Sequence, residues 1–175
     1  MISDTHPSNR LKYCPFCGGS RFSWDGKKRH LCADCGHMLY TNAATAVIAV
    51  IENEAHELLM VKRRFEPAKG KLDLPGGFVD FGESAEAALR REVLEEVNLE
   101  VTACQFIRTY PNRYLYDGLT YFTTDLAFRC QVASFQPLHA CDDAADACFY
   151  PMERIRVADI GLDSIRNVVS DLLSF

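Results

Sequence analysis

An α/β domain preceded by a small cysteine-stapled ribbon is the fold this sequence predicts, and three observations predict it. Residues 1–40 are rich in Cys, Gly and charge and poor in aliphatic side chains; apolar β-prone runs and two helical segments follow from residue 41; and four of the eight cysteines stand in two C-x-x-C pairs. A chain of 175 residues suffices for one main domain with a real core plus an appendage. With 48% hydrophobic and 25% charged residues it has the balance of a folded globular protein, which excludes disorder and fibrous repeats. No run approaches the roughly 18 apolar residues of a membrane span, and the start MISDTHPSNRLK has no apolar signal core. A cytoplasmic protein with no membrane partner is therefore expected.

Residues 1–12 are polar and expected to be flexible, and the ribbon closes at residue 40. The main α/β body is expected to occupy residues 41–175. Ala43-Ala-Thr-Ala-Val-Ile-Ala-Val-Ile51 and Glu57-Leu-Leu-Met-Val-Lys62 are β-prone runs separated by a polar turn, and read as a hairpin. A short extended piece, Leu72-Asp-Leu74, precedes Pro75-Gly76-Gly77. Residues 84–97 contain no Pro or Gly and are enriched early in Glu and Ala, so they form the best helix of the chain, ended at Asn98. Residues 100–110 and 119–132 read as strands, and 147–150 as a short strand stopped by Pro151. In the tail Ile165, Val168, Val169, Leu172 and Leu173 recur at helical spacing, which predicts a docked amphipathic helix.

Cys14-Pro-Phe-Cys17-Gly and Cys32-Ala-Asp-Cys35-Gly are separated by fourteen residues. Each C-x-x-C-Gly turn offers two thiolates from one chain reversal, and two such turns close a tetrahedral zinc site. Four protein ligands leave no open position, so Cys14, Cys17, Cys32 and Cys35 predict a structural zinc. The other cysteines, Cys104, Cys130, Cys141 and Cys148, have no paired short spacing and read as small buried hydrophobes.

Charge is uneven. Residues 1–40 hold six Lys/Arg against three Asp/Glu, whereas the rest holds thirteen against twenty-one, a balance of −8. So acidic a body repels polyanions, which argues against nucleic acid as the partner and favours a site that binds cations. The acidic residues concentrate their meaning in one helix. At 3.6 residues per turn, Glu92, Glu95 and Glu96 fall within an arc of roughly 100°. Like charges so placed repel, and a fold gains nothing from them unless a cation sits there. Hard oxygen ligands beside a Pro-Gly-Gly turn suit Mg²⁺, which takes a few carboxylates and leaves its other positions to water and phosphate. Arg91 and Glu83 read as an internal ion pair that ties the loop to the helix and holds Glu92.

The stretch Gly77 to Leu99 resembles the Nudix box, G-x5-E-x7-R-E-U-x-E-E-x-G-U with U aliphatic. Gly77, Glu83, Arg91, Glu92, Val93, Glu95, Glu96 and Leu99 match at the family's spacing, and Asn98 stands where the pattern has Gly. A four-cysteine ribbon ahead of Leu72-Asp-Leu-Pro-Gly-Gly-Phe-Val-Asp80 and this box is similar to the zinc-ribbon branch of Nudix hydrolases that includes NADH pyrophosphatase. The resemblance implies an α/β/α sandwich with a mixed sheet, a homodimer, and divalent-metal-dependent hydrolysis of the pyrophosphate linkage in a nucleoside diphosphate derivative such as ADP-ribose, NADH or FAD. By match to the box, Glu92, Glu95 and Glu96 would hold Mg²⁺ or Mn²⁺ with help from the Gly76 carbonyl. A further acidic ligand often lies far along the chain in this family, and Asp143 is the candidate. Arg63, Arg64 and Lys71 flank the box loop and are candidates for steering phosphates, while Tyr110 and Tyr114 are candidates for stacking a base. Arg108-Thr-Tyr-Pro-Asn-Arg-Tyr114 shares little beyond Pro111 with the NADH-pyrophosphatase marker, which leaves the substrate open within the class. The alternative is a catalytically idle Nudix fold whose ribbon, with Arg21, Lys27, Lys28 and Arg29, acts as a nucleic-acid- or protein-binding regulator.

Overall fold

The computed structural model describes residues 5–174, and the chain divides into two compact units, Met1–Ala44 with Arg113–Phe122, and Thr45–Asn112 with Thr123–Phe175. In the first unit β1 (Phe22–Trp24), β2 (Arg29–Cys32) and β3 (Met38–Tyr40) form an antiparallel sheet in that order. Its apolar interior is minimal: Cys14, Phe22 and Cys32 are buried, with Leu39 against them. The hairpin tip joins this unit through the Thr5 and Thr120 hydroxyls, 2.7 Å apart, and through His6 against the Phe122 ring.

The second unit contains β4 (Ala44–Ile51), β5 (Glu57–Arg63), β6 (Leu72–Asp73), β7 (Gly76–Phe78), α1 (Ala85–Val97), the body of β8 (Val101–Tyr116) and β9 (Leu119–Val132), β10 (Ala144–Pro151) and α2 (Asp163–Leu173). Its sheets run in the orders β7-β4-β9-β8 and β10-β5-β6, and a parallel bridge joins Leu72 to Ile160. Residues of a strand alternate between faces, and here both faces are covered. Val47, Ala49, Ile51, Leu59 and Val61 pack with Ala88, Leu89, Val93 and Val97 of α1. Ile48, Val50, Leu58 and Met60 pack with Ile165, Val168 and Val169 of α2. The strands therefore form the middle layer of an α/β/α sandwich, the architecture expected from the sequence. Burying one such Leu, Ile or Val side chain is worth roughly 1.5–3 kcal/mol, so these two clusters hold the unit together.

The helix of the box forms where its sequence directs. Ser84 caps it by accepting the Ala87 N–H, and Asn98 ends it at φ 54°, the left-handed conformation that Gly supplies in the family pattern. Four expectations need correction. The two apolar runs become β4 and β5 but pair only at their turn, through the Glu52–Leu58 bridge and the Asn53 N–H donating to the Glu57 carbonyl, and then enter different sheets. Both are apolar on both faces, so the residue pattern does not specify a pairing partner. The strand after α1 continues through Pro111 to Tyr116 because β8 lies at a sheet edge, where a missing N–H leaves no ladder bond unmade. Edge position likewise lets β10 begin at Ala144 and include Pro151. Leu173 is exposed, so the apolar stripe of α2 ends one residue earlier than expected. No helix of the described residues is long and apolar enough to cross a membrane.

Candidate functional site: a carboxylate helix and a four-cysteine centre

Leu89, Val93 and Val97 press α1 into the core, which turns the neighbouring stripe of Glu92 and Glu96 toward β7 and leaves Glu95 at the rim. Arg91 organises the surroundings. Its Nε and Nη2 donate to the two oxygens of Glu83 at 3.0 and 2.9 Å, a bidentate clamp on the loop before the helix. Nη2 also donates to the Phe78 carbonyl at 3.0 Å, and Nη1 donates to Glu92 Oε1 at 2.8 Å and Glu95 Oε2 at 3.1 Å. Glu83 in turn accepts the Asp80 N–H at 3.1 Å, and Arg91 holds its carboxyl below the usual carboxylate range. One guanidinium thus fixes the strand β7, the loop and two carboxylates of the helix.

Glu96 is held differently. It is only 9% exposed and its Oε2 accepts the Gly76 N–H at 3.0 Å. Burial pushes its carboxyl up to about 8; the Gly76 N–H offsets part of this, and the charges of Asp73, Glu92 and Asp143 add to it. Burial also raises Glu92, and Glu95 and Asp80 raise it further, against the lowering effect of Arg91. A cation would relieve this repulsion. Glu92 Oε2, Glu95 Oε1 and Glu96 Oε1 take no bond from the described protein residues, so the donor set suits a hard divalent ion. Asp143, at the end of the loop before β10, is close enough for its charge to act on Glu96. Gly76 touches this site through its N–H; its carbonyl makes no described contact there.

Two glycines shape the approach. Gly76 lies at φ +152°, and a Cβ there would strike the Val47 carbonyl oxygen, so no side chain fits. Gly77 has no such backbone requirement, but a Cβ there would strike the Glu92 carboxylate, reaching 2.6 Å from Oε2. Gly77→Ala is therefore expected to leave the fold intact, by circular dichroism, while displacing Glu92 and lowering kcat by about 10²-fold.

The remaining sequence candidates have partners in the scaffold. Arg63 donates to Asp73 Oδ2 and to the Pro67 carbonyl, each at 2.6 Å. Arg64 donates to the Ala144 carbonyl at 2.7 Å and Lys71 to the Ala158 carbonyl at 3.2 Å. Tyr110 is buried and donates to Asp171 Oδ2 at 2.8 Å, and Tyr114 stacks on Tyr116. The sequence reading passed over Asp73, which is buried, joined to Arg63 and near Glu96. Its one local signal is a carboxylate between two leucines.

In the first unit the Sγ atoms of Cys14, Cys17, Cys32 and Cys35 all lie within 4.8 Å of one another. The Cys14–Cys35 and Cys17–Cys32 separations are 3.9 and 3.7 Å. A zinc ion with Zn–S bonds of about 2.3 Å requires a tetrahedral edge of about 3.8 Å, so the cage fits the ion. The two knuckles repeat one geometry. Gly18 donates to the Cys14 carbonyl and Gly36 to the Cys32 carbonyl, both at 2.9 Å, with φ of 74° and 76°. The four thiols compete for protons: burial raises Cys14, but the backbone N–H groups of Cys17 and Phe16 and bonds from Cys32 and Cys17 bring it down to about 7, while the neighbouring thiols push Cys17 and Cys35 up.

A family model described as the NUDIX domain matches residues 42–172. The chain is 34% identical over 121 residues to the ADP-ribose pyrophosphatase of Methanocaldococcus jannaschii, covering 68% of each chain. It is 28% identical over 106 residues to the NAD-capped RNA hydrolase NudC of Vibrio vulnificus, covering 61% of this chain and 40% of that protein. The chain thus spans about two fifths of the length of the NudC relatives it matches. A NUDIX hydrolase crystal structure from Nitrosomonas europaea superposes with a TM-score of 0.72 at 23% identity, over 94% of this chain and 91% of that one, a likeness of fold.

Proposed function

The chain belongs to the Nudix family, and on that premise we propose that it hydrolyses the pyrophosphate linkage of a nucleoside diphosphate derivative with the help of a divalent metal ion. The observation that carries this reading is the carboxylate helix. Glu92, Glu95 and Glu96 each keep one oxygen free of protein bonds while Arg91 and the Gly76 N–H hold the other. Nothing in the stability of the fold calls for such a set, since burial and mutual repulsion raise both Glu92 and Glu96.

Glu92, Glu95 and Glu96 would hold Mg²⁺ or Mn²⁺, with Asp143 as the further carboxylate. Once bound, such an ion neutralises the diphosphate oxygens and makes a bound water a better nucleophile. The protein's contribution is preorganisation. Arg91 locks Glu92 and Glu95 to the loop through Glu83, so the oxygens need no rearrangement during reaction. The glycine pair lets β7 approach the helix without a side chain covering Glu92. The attacking water adds to one phosphorus, the bridging P–O bond breaks, and two phosphorylated products leave. In the ribbon Cys14, Cys17, Cys32 and Cys35 would hold a structural Zn²⁺.

ADP-ribose and NAD-type dinucleotides are the first substrates to assay, because relatives bear the names ADP-ribose pyrophosphatase and NAD-capped RNA hydrolase. The test is product release from a panel of ADP-ribose, NADH, FAD and nucleoside triphosphates, with Mg²⁺ or Mn²⁺ and with chelator. Metal-dependent conversion of ADP-ribose to AMP and ribose 5-phosphate is the expected result. Background rates on every compound would overturn the enzyme and leave the regulator.

A further inference from the structure

Away from the carboxylate helix, the second unit buries four polar side-chain atoms that find no partner among the described residues: Asn112 Oδ1, Thr123 Oγ1, Asp125 Oδ1 and Ser164 Oγ. Folded proteins leave few such atoms, and each calls for a ligand or a water. Three of the four come together. They lie on β8 and β9, which are adjacent strands. The strands are joined by the two-residue turn Asp117-Gly118, both residues at positive φ, which sets Tyr116 opposite Leu119. Strand alternation sets Asn112 on the face of Tyr110, and Thr123 on the face of Asp125. All four are buried, and Tyr110 belongs with Ala127 to the apolar cluster on the α2 side of the sheet.

Asn112, Thr123 and Asp125 keep only 5%, 4% and 4% of their surface accessible, and their unpartnered atoms lie beneath it. The nearby guanidinium groups are engaged elsewhere: Arg63 on Asp73 and Arg108 on Asp171. The cluster lies within reach of the carboxylate site's charges: that of Asp125 acts on Asp73 and that of Asp73 on Glu96.

The chemistry narrows the ligand. An amide oxygen and a carboxylate oxygen accept hydrogen bonds and Thr123 Oγ1 does either, so the cluster asks for donors. A carboxylate repels phosphate, which assigns the diphosphate to the metal side and a neutral, donor-bearing group to this side. The apolar cluster around Tyr110 and Ala127 suits a flat ring better than a hydrated polyol. We propose that Asn112, Thr123 and Asp125 form the floor that reads an amino-bearing nucleobase through its N–H donors, and so set the base specificity of the hydrolase. This rests on the hydrolase reading for its consequence but not for its test.

The test is calorimetric titration of the full chain with Mg²⁺ and two matched pairs of nucleotides: AMP against purine riboside monophosphate, and GMP against IMP. In at least one pair the amino-bearing member is expected to bind about tenfold or more tightly, because a site built to accept a hydrogen bond rejects the analogue that lacks the donor. Asp125→Asn and the near-isosteric Thr123→Val are expected to reduce that preference to about threefold or less, mainly by weakening the amino-bearing member. Equal binding of both members of both pairs by the wild type would overturn the proposal. So would well-folded variants that weaken both members alike. Selective binding without turnover of the substrate panel would instead refute the hydrolase while leaving this floor in place.

Discussion

Glu96→Gln is expected to lower kcat on the turned-over substrate by about 10³-fold, the order seen when a preorganised electrostatic group is removed, while the melting temperature holds or rises. The two halves of this result have one cause. Glu96 is buried and its carboxyl is pushed up to about 8 by that burial, with Asp73, Glu92 and Asp143 adding repulsion. A glutamine keeps an oxygen to accept the Gly76 N–H, so β7 stays bound to α1. It removes the charge that burial disfavours and that the reaction requires. Such an exchange of stability against activity is common where a site stores repulsion for a ligand. Steady-state kinetics and thermal unfolding on the same preparation check it. A kcat within tenfold of wild type would remove Glu96 from the catalytic set.

Stripping metal from the ribbon is the second large effect. Its interior consists of Cys14, Phe22 and Cys32 with Leu39 against them, and two of those four side chains belong to the four-thiol cage. Structural zinc contributes about 10 kcal/mol or more to folding in small ribbons, far beyond what so few apolar groups supply. Removal of the ion by a strong chelator, or Cys32→Ser, is expected to abolish hydrogen-exchange protection across residues 13–40. The hairpin tip at residues 113–122, which shares this unit, should lose protection with it. Metal analysis of the untreated protein should return about one zinc per chain. Protection that survives in a metal-free sample would show that the ribbon needs no staple.

Features set by neighbours along the chain were legible from the residues. Ser84 and Asn98 bracket α1 because a cap is a bond between positions a few residues apart. The arc of Glu92, Glu95 and Glu96 follows from helical periodicity alone, and each cysteine knuckle follows from one tight turn. The pair of Arg91 with Glu83 was equally foreseeable, since eight residues separate them across a single loop-to-helix junction.

Pairings between distant segments were not legible. The strands β4 and β5 were recognisable, yet their partners were not, because a strand apolar on both faces fits any neighbour equally well. Nothing local marks the tip at residues 113–122 as part of the ribbon's unit, since that grouping depends on contacts across more than seventy positions of chain. Arg63 reads as a phosphate-steering charge until Asp73 is found beside it. Asn112, Thr123 and Asp125 are unremarkable polar residues of two strands until the packed sheet buries the face they share. Local bonds and periodicities are written in adjacent residues, so the helix, its carboxylates and the four-cysteine knuckles follow from order alone. Burial and long-range partners arise only when the layers close, and the closed sandwich raises Glu96, commits Arg63 and leaves the floor of Asn112, Thr123 and Asp125 waiting for a donor.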